Sequence, residues 1–327
     1  MIDMRIRRPT PAVVRALALA SLVANVGIVV TGGAVRLTGS GLGCPTWPRC
    51  TDESYVPTGA LSGHELVEFG NRTLTFLLGV IALATLVAAW TQRPRRPAVP
   101  RLAVAVFLSI PAQAVVGGIT VLTGLNPWVV ATHFLISIAV IAAALVLWRR
   151  TRTPADAPAE RVVRREVELL GRITVVVAAL TLALGTVVTG SGPHAGDEAA
   201  ARTGFDPETV SQLHADSVML LVGLTVGCWL ALRATGAPAA ARRAAVVLFG
   251  VELAQGLVGF VQYFTGLPEV LVGLHMLGAC LVWIAVLRML LAMRVPSAGE
   301  PQDEDAPAQV ATAVLQVAPA RVGDPAA

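Results

Sequence analysis

The sequence predicts an all-α polytopic membrane protein, with eight transmembrane helices arranged as two pseudo-symmetric four-helix bundles. Three observations predict it. Of 327 residues, 55% are hydrophobic and only 14% charged, with mean hydropathy +0.69; a soluble domain of this length carries far more charge. Eight apolar runs recur, each near the ~20 residues that cross a bilayer as a helix. An internal repeat joins them. The segment from Ala112, AQAVVGGITVLTGLNPWVVATHFL, aligns without a gap to the segment from Ala254, AQGLVGFVQYFTGLPEVLVGLHML. Ala112, Gln113, Val116, Gly117, Thr123, Gly124, Leu125, Val130, His133 and Leu135 meet identical residues 142 positions later (254 − 112). A repeat of this kind fixes architecture before any single motif does.

The runs fall at about 13–35, 68–90, 102–123, 128–148, 171–190, 210–232, 244–265 and 270–292. They are rich in Ala, Leu and Val and lack the alternation of barrel strands; helices satisfy their backbone without water. The first follows a basic start, yet no clear cleavage site ends it and its removal leaves an odd span count, so it reads as a span and not a signal peptide. The chain has no lysine, and arginine sets orientation. Arg5, Arg7, Arg8, Arg15, Arg93, Arg95, Arg96, Arg101, Arg149, Arg150 and Arg152 crowd one side, as do Arg161, Arg164, Arg165, Arg172, Arg233, Arg242, Arg243, Arg288 and Arg294. Arg36, Arg49, Arg72 and Arg202 hold the other. The positive-inside rule places both termini in the cytoplasm of a multi-pass plasma-membrane protein. These loops explain the pI near 9.3 without nucleic acid as a partner; the membrane lipid is the surrounding one. Residues 296–327, rich in Pro, Ala and Gln, read as a disordered cytoplasmic tail.

Spans one and five end in VVTGGAVRLTGSGLGCP and VVTGSGPHAGD. Four spans per repeat give both halves one orientation. The domains are therefore 1–150, an N-terminal four-helix half, and 151–295, a C-terminal four-helix half. Each half offers residues from its second and fourth spans: His214 and His275 in the second, Asn71 and His133 in the first. Asn71 stands where the repeat expects a histidine. All four are expected three to five residues from the outer ends of their spans, about 5–8 Å deep at ~1.5 Å per residue.

A lone intramembrane histidine is a helix–helix contact or a ligand. Two imidazoles facing across a bundle suit a six-coordinate haem; zinc lacks further ligands at plausible spacing. Glu68 shares a helix face with Asn71 and either pairs with Arg72, four residues on, or serves as an acid/base group. His64 is a loop histidine or part of a proton path. Arg36 anchors its helix or pairs with a haem propionate. His194 is structural or touches a haem edge. Asp216 is turned away from the His214 face and is assigned no chemistry. Cys228 and Cys280 are apolar fillers. Cys44 and Cys50, in an outer loop with two prolines between them, are expected to form a disulfide; the alternative is a redox-active dithiol.

GGAVRLTGSGLGCPTWPRC, EFGNR, the AQ…VGG…TGL…H segment, TGSGPHAGD and QLHADS together resemble the heme A synthase family, over about residues 13–292. The resemblance implies oxidation of the C8 methyl of heme O to a formyl group, giving heme A for terminal oxidases. It implies heme B between His214 and His275, and substrate haem in the first half with His133 as ligand and Glu68 essential. The outer-loop cysteine pair matches Cys44 and Cys50. Heme O is the implied substrate; heme O synthase and terminal oxidase assembly factors are the implied partners. The family's E-x-x-H-R reads Glu68-Phe69-Gly70-Asn71-Arg72 here, which leaves one axial position open or water-bound. The competing readings are a quinol-linked haem-b electron-transfer protein and a haem carrier. The inequality of the halves favours the enzyme, because Glu68 corresponds to Ser211 in the second half.

Overall fold

A computed structural model describes residues 8–57, 63–94, 96–153 and 159–296. The expected tail (from residue 297), Arg5, Arg7 and Arg95 lie outside the described residues. Eight long apolar helices follow one another: α1 (Pro11–Leu37), α2 (Gly63–Thr91), α3 (Ala98–Leu122), α4 (Pro127–Arg150), α5 (Arg165–Ser191), α6 (Pro207–Ala234), α7 (Ala239–Phe264) and α8 (Glu269–Ala292). Each is long and apolar enough to cross a membrane, and the protein is a multi-pass membrane protein.

Several helices start before their apolar run because a polar turn is capped. Thr10, Asn126 and Asp206 accept from the backbone N–H groups of Val13, Trp128 and Thr209, each followed by proline at the first helical position. Hydrogen bonds from Thr209 hold the Asp206 carboxyl below its usual range. The candidate residues therefore lie deeper than the sequence suggests. His133 is six residues past Pro127, His214 seven past Pro207, His275 six past Glu269 and Asn71 eight past Gly63. That is roughly 9–12 Å at ~1.5 Å per residue, against the expected 5–8 Å.

Within the first half α1 packs on α2 and α4, and α3 packs on the same two; the diagonals α1–α3 and α2–α4 do not touch. Helices α5 to α8 repeat this ring. The halves meet where α1 packs on α8, α5 on α4, and α4 on α8, the arrangement expected of a pseudo-twofold axis along the membrane normal. At the α4–α8 contact Trp283 Nε1 donates to the Ile138 carbonyl, 2.9 Å. Close approach of α1 and α8 needs Gly33: a Cβ there would lie 2.5 Å from Met276 Sδ.

At the ends of the bundles where α1 begins and α8 ends, called inner to distinguish them from the opposite, outer ends, two three-residue strands, β1 (Ala159–Arg161) and β2 (Arg294–Pro296), pair antiparallel. Pro296, which the sequence assigned to the tail, belongs to this ladder. Buried Glu168 on α5 pairs with Arg161, Arg172 and Arg294 around it.

Most of the large core lies in the inner half of the bundles; toward the other end Val29, Gly33, Val35 and Leu37 of α1 are buried, and a small cluster of Leu125, Ala195 and Ala200 closes the loops. In the second half the buried residues of α6 begin at Leu221, those of α7 end at Glu252 and those of α8 begin at Cys280. In the first half none is buried over 69–77 of α2, 111–117 of α3 or 128–137 of α4. Above a packed inner storey, the stretches of α2, α3, α4, α6, α7 and α8 that surround the candidate residues carry no buried residue and form a loosely packed outer storey in each bundle.

Candidate functional site: two histidine-lined outer storeys

The candidate ligands stand in these outer storeys, on helices that are diagonal and not in contact: α2 and α4 in the first half, α6 and α8 in the second. Each histidine rests its Cε1 edge on a glycine of the neighbouring helix. A Cβ at Gly117, Gly185 or Gly259 would lie 3.4, 3.2 or 3.1 Å from Cε1 of His133, His214 or His275. The repeated Gln and His also find a role. Gln255 Nε2 donates to the His275 carbonyl at 2.8 Å, and Gln113 Nε2 to the His133 carbonyl at 3.3 Å. The amide on α7 or α3 thus fixes the rotation of the helix that bears the histidine, and the glycine four residues on seats its ring. The shared Thr-Gly-Leu closes the same hairpin: Leu125 and Leu267 both take positive φ, 59° and 60°, and donate to the carbonyls of Thr120 and Gln262.

The donor chemistry fits haem. His214 Nδ1 lies 3.1 Å from the Thr181 carbonyl, the hydrogen bond that turns Nε2 into the free ligand atom of a neutral imidazole. Nδ1 of His133 and of His275 is buried without a hydrogen-bond partner. Among the described residues no three His, Cys, Asp or Glu gather to hold a bare metal ion. Two imidazoles per storey, or one, suit an iron whose other four donors come from a porphyrin.

Asn71 differs. Its Oδ1 accepts from the Thr31 hydroxyl at 2.8 Å. Glu68, 5% exposed, is fully engaged. One oxygen accepts from Arg72 Nη2 (2.6 Å) and Nε (3.1 Å), the other from the Cys44 N–H (2.6 Å). Arg72 also donates to the carbonyls of Cys44, Thr46 and Arg49. Glu68 and Arg72 therefore clasp the outer loop in which Cys44 and Cys50 form a disulfide. That loop lies on the first bundle: Trp47 packs against α3 where Gly118 leaves room, 2.3 Å from an added Cβ to the ring.

Arg36, in the last turn of α1, donates from Nε and Nη2 to the carbonyls of His194 and Thr189. His194 Nε2 is 2.9 Å from the Leu267 carbonyl, and Gly41 N–H meets the Gly196 carbonyl. Arg36 and His194 thus tie the outer loops of the two halves. His64, read from sequence as a loop histidine or a proton-path member, is on the first turn of α2, with Nδ1 3.0 Å from Ser40 Oγ. Asp216 accepts from Gln212.

Sequence reasoning missed Thr31, the three ring-seating glycines and the roles of Gln113 and Gln255. The ungapped repeat held the signal for the glutamines and for two of the glycines. It also missed Glu252, 4% exposed, which accepts from Thr225 in the middle of the second bundle.

Comparison with known proteins agrees with this architecture. The chain is 34% identical over 122 residues to proteins named heme A synthase from Listeria welshimeri, Listeria monocytogenes and Bacillus cereus (strain AH187). The aligned stretch is 37% of this chain, and 40% of the length of the Listeria proteins and 39% of the Bacillus protein. The family model described as cytochrome oxidase assembly protein matches residues 15–196, the first bundle from the second turn of α1 onward, with α5 and the outer loop that Arg36 grips. With more than half its length matched, this chain belongs to the cytochrome oxidase assembly protein family, COX15-CtaA.

Proposed function

We propose that this chain is a heme A synthase: it takes heme O and oxidises its C8 methyl to a formyl group. The observation that carries the reading is the pair of outer storeys with unequal chemistry. The second holds two histidines, His214 and His275, seated on glycines. The first holds His133 opposite Asn71, with Glu68 one turn away. Two equal sites suit electron transfer; one altered site beside a buried carboxylate suits conversion of a bound substrate.

In this reading heme B is bound between His214 and His275, and heme O is substrate in the first half on His133. The haem iron supplies the redox chemistry when bound; the chain supplies position, charge and exclusion of water. Gln113 and Gln255 hold α4 and α8 in register, so the imidazoles meet the iron without rotational search. The outer loop, clasped by Glu68 and Arg72 and pinned by Trp47, covers the first storey against water. Glu68 lies close enough to Asn71 on the same helix face to hold a negative charge, or a proton, beside the substrate edge. Arg36 and His194 set the roof between the halves; one guanidinium nitrogen of Arg36, Nη1, is left to meet a propionate.

The distribution of arginine supports a plasma-membrane location with both termini cytoplasmic and the outer storeys on the opposite side. Delivery of heme O by its synthase and hand-over of heme A to oxidase assembly factors complete the reading. The test is extraction and chromatography of haems from cells that make this protein together with a heme O source. Heme A is expected with the native chain and absent with Glu68→Gln. Heme O alone in both refutes the assignment.

A further inference from the structure

We propose that the inner end of the first bundle carries a binding site for an anionic diacyl phospholipid, seated where α2 hands over to α3. It does not depend on what the outer storeys hold.

A cavity of about 630 Å³ opens there. Trp90, Pro97, Pro100 and Val104 give it apolar walls, and Arg96 and Arg101 are its charged residues. No acid offsets them, because the sequence has no Asp or Glu between Glu68 and Asp156. Several inner-end arginines have partners within the protein. Arg161, Arg172 and Arg294 surround Glu168, and Arg152 and Arg233 lie over the rings of Trp148 and Trp229. Trp90, Trp148 and Trp229 all stand near the inner ends of their helices, the level at which an indole meets lipid headgroups. Among the described residues no arginine stacks on Trp90, and Arg101 makes no hydrogen bond or ion pair. Arg96 is held in place. Its Nη1 donates to the carbonyls of Thr151 and Thr153 at 3.1 and 2.9 Å, which fixes the guanidinium at the cavity and leaves Nε and Nη2 for a ligand.

The surface leading away from the cavity is apolar. On α2, Val87, Leu83 and Val80 continue the face of Trp90; on α3, Leu108 and Val115 continue that of Arg101 and Val104, and all five are exposed. Spacings of three and four keep each set on one helix face. Two apolar stripes thus run outward beside the seam of α2 and α3, which pack together. A headgroup phosphate between the guanidinium groups, with acyl chains along the stripes, matches both parts of this surface. A free phosphate meets only the arginines.

Among the described residues the second bundle has no counterpart. Four residues (235–238) join α6 to α7, against six (92–97) between α2 and α3. Buried Ala237 donates across that shorter turn to the Leu232 carbonyl. Where the first bundle has Trp90, the second has Arg233. One tightly held lipid per chain follows.

The test is native mass spectrometry of the full chain in detergent, titrated with dioleoyl phosphatidylglycerol or dioleoyl phosphatidylcholine. The anionic lipid is expected to fill one position per chain about 30-fold more tightly than the zwitterionic one, from about 5-fold for each arginine at the headgroup. Arg101→Gln, which breaks no bond within the protein, is expected to cut the preference about 5-fold, and Arg96→Gln with Arg101→Gln to abolish it. Val104→Trp fills the cavity and is expected to lose the tight lipid with no change of charge. Arg242→Gln with Arg243→Gln removes the same charge from the second bundle and is expected to alter nothing. Equal affinity for the two lipids overturns the proposal, and so does an equal loss in the second-bundle control. Displacement of the bound lipid by millimolar inorganic phosphate also overturns it, leaving an anion site only.

Discussion

Replacing Glu68 by alanine removes two things at once, and the structure separates them. The Cys44 N–H loses its only acceptor, a cost of about 1–3 kcal/mol for a buried donor. Arg72 loses its counter-ion. Breaking a buried pair costs about 3–5 kcal/mol, but Arg72 keeps the carbonyls of Cys44, Thr46 and Arg49, and its side chain is 22% exposed. The lower end, or somewhat less, applies. About 2 kcal/mol from each gives about 4 kcal/mol, all of it holding the outer loop to α2. At ~1.4 kcal/mol per decade, local opening of the loop becomes about 10³-fold more frequent. The assay is amide hydrogen exchange of the peptide covering 38–57 in nanodiscs, with haem content measured in parallel. Protection at Cys44 is expected to collapse while the haem proposed for the second half, on His214 and His275, stays. Glu68→Gln retains a carbonyl for Cys44 and is expected to lose only part of the protection. Unchanged exchange in Glu68→Ala would refute the clasp. Glu68→Gln that keeps the loop closed yet makes no heme A would assign the carboxylate to the chemistry as well.

Three further outcomes follow from the packing. Valine at Gly259 or Gly185 drives a methyl into the imidazole of His275 or His214; overpacking of about 1–3 kcal/mol should weaken haem retention about 5- to 150-fold, with Gly117→Val milder because its clearance is larger. Haem titration monitored by the Soret band checks this, and equal affinity in all three variants contradicts the seating. Gln255→Leu removes the donor to the His275 carbonyl and should broaden the low-spin haem signal in electron paramagnetic resonance without loss of folding, whereas an unaltered spectrum denies Gln255 its role. Glu168→Ala leaves Arg161, Arg172 and Arg294 facing one another; partial exposure of the arginines limits the cost to about 2–3 kcal/mol, read as a shorter half-life at elevated temperature in detergent.

The eight helices were legible because the bilayer demands a length and a composition that no other fold supplies, and the bundle pairing followed from the repeat. Helix starts were less legible. A cap followed by proline, as at Asp206–Pro207, starts a helix in polar residues where hydropathy is blind, and the site moved inward by about a turn. His133, His214 and His275 stood out as rare polar residues in apolar runs. Thr31 did not, because threonine is common in such runs and its meaning comes from a partner 40 residues away. Arg72 was visible as a partner of Glu68 at helical spacing, but its grip on three loop carbonyls depends on how the loop folds back, which no local pattern encodes. Arg36 and His194 were left by position alone between a structural role and contact with a haem; their bonds across the two halves depend on tertiary packing. The β1–β2 ladder joins segments more than 130 residues apart in an otherwise helical chain, and nothing in its composition marks it.

The two-storey construction bears on biogenesis. The inner storey closes with its own apolar core, its own Glu168 latch and the Trp283 bond between the halves, and no candidate ligand is a member of that core, latch or bond. Metalloproteins that fold around their metal must wait for it. Under the proposed function, a scaffold closed by its own core does not wait for its porphyrin, so cargo loading and membrane insertion are separable events. The proposed heme A synthase reading needs that order: a vessel whose substrate is itself a haem has to survive being emptied at every turnover.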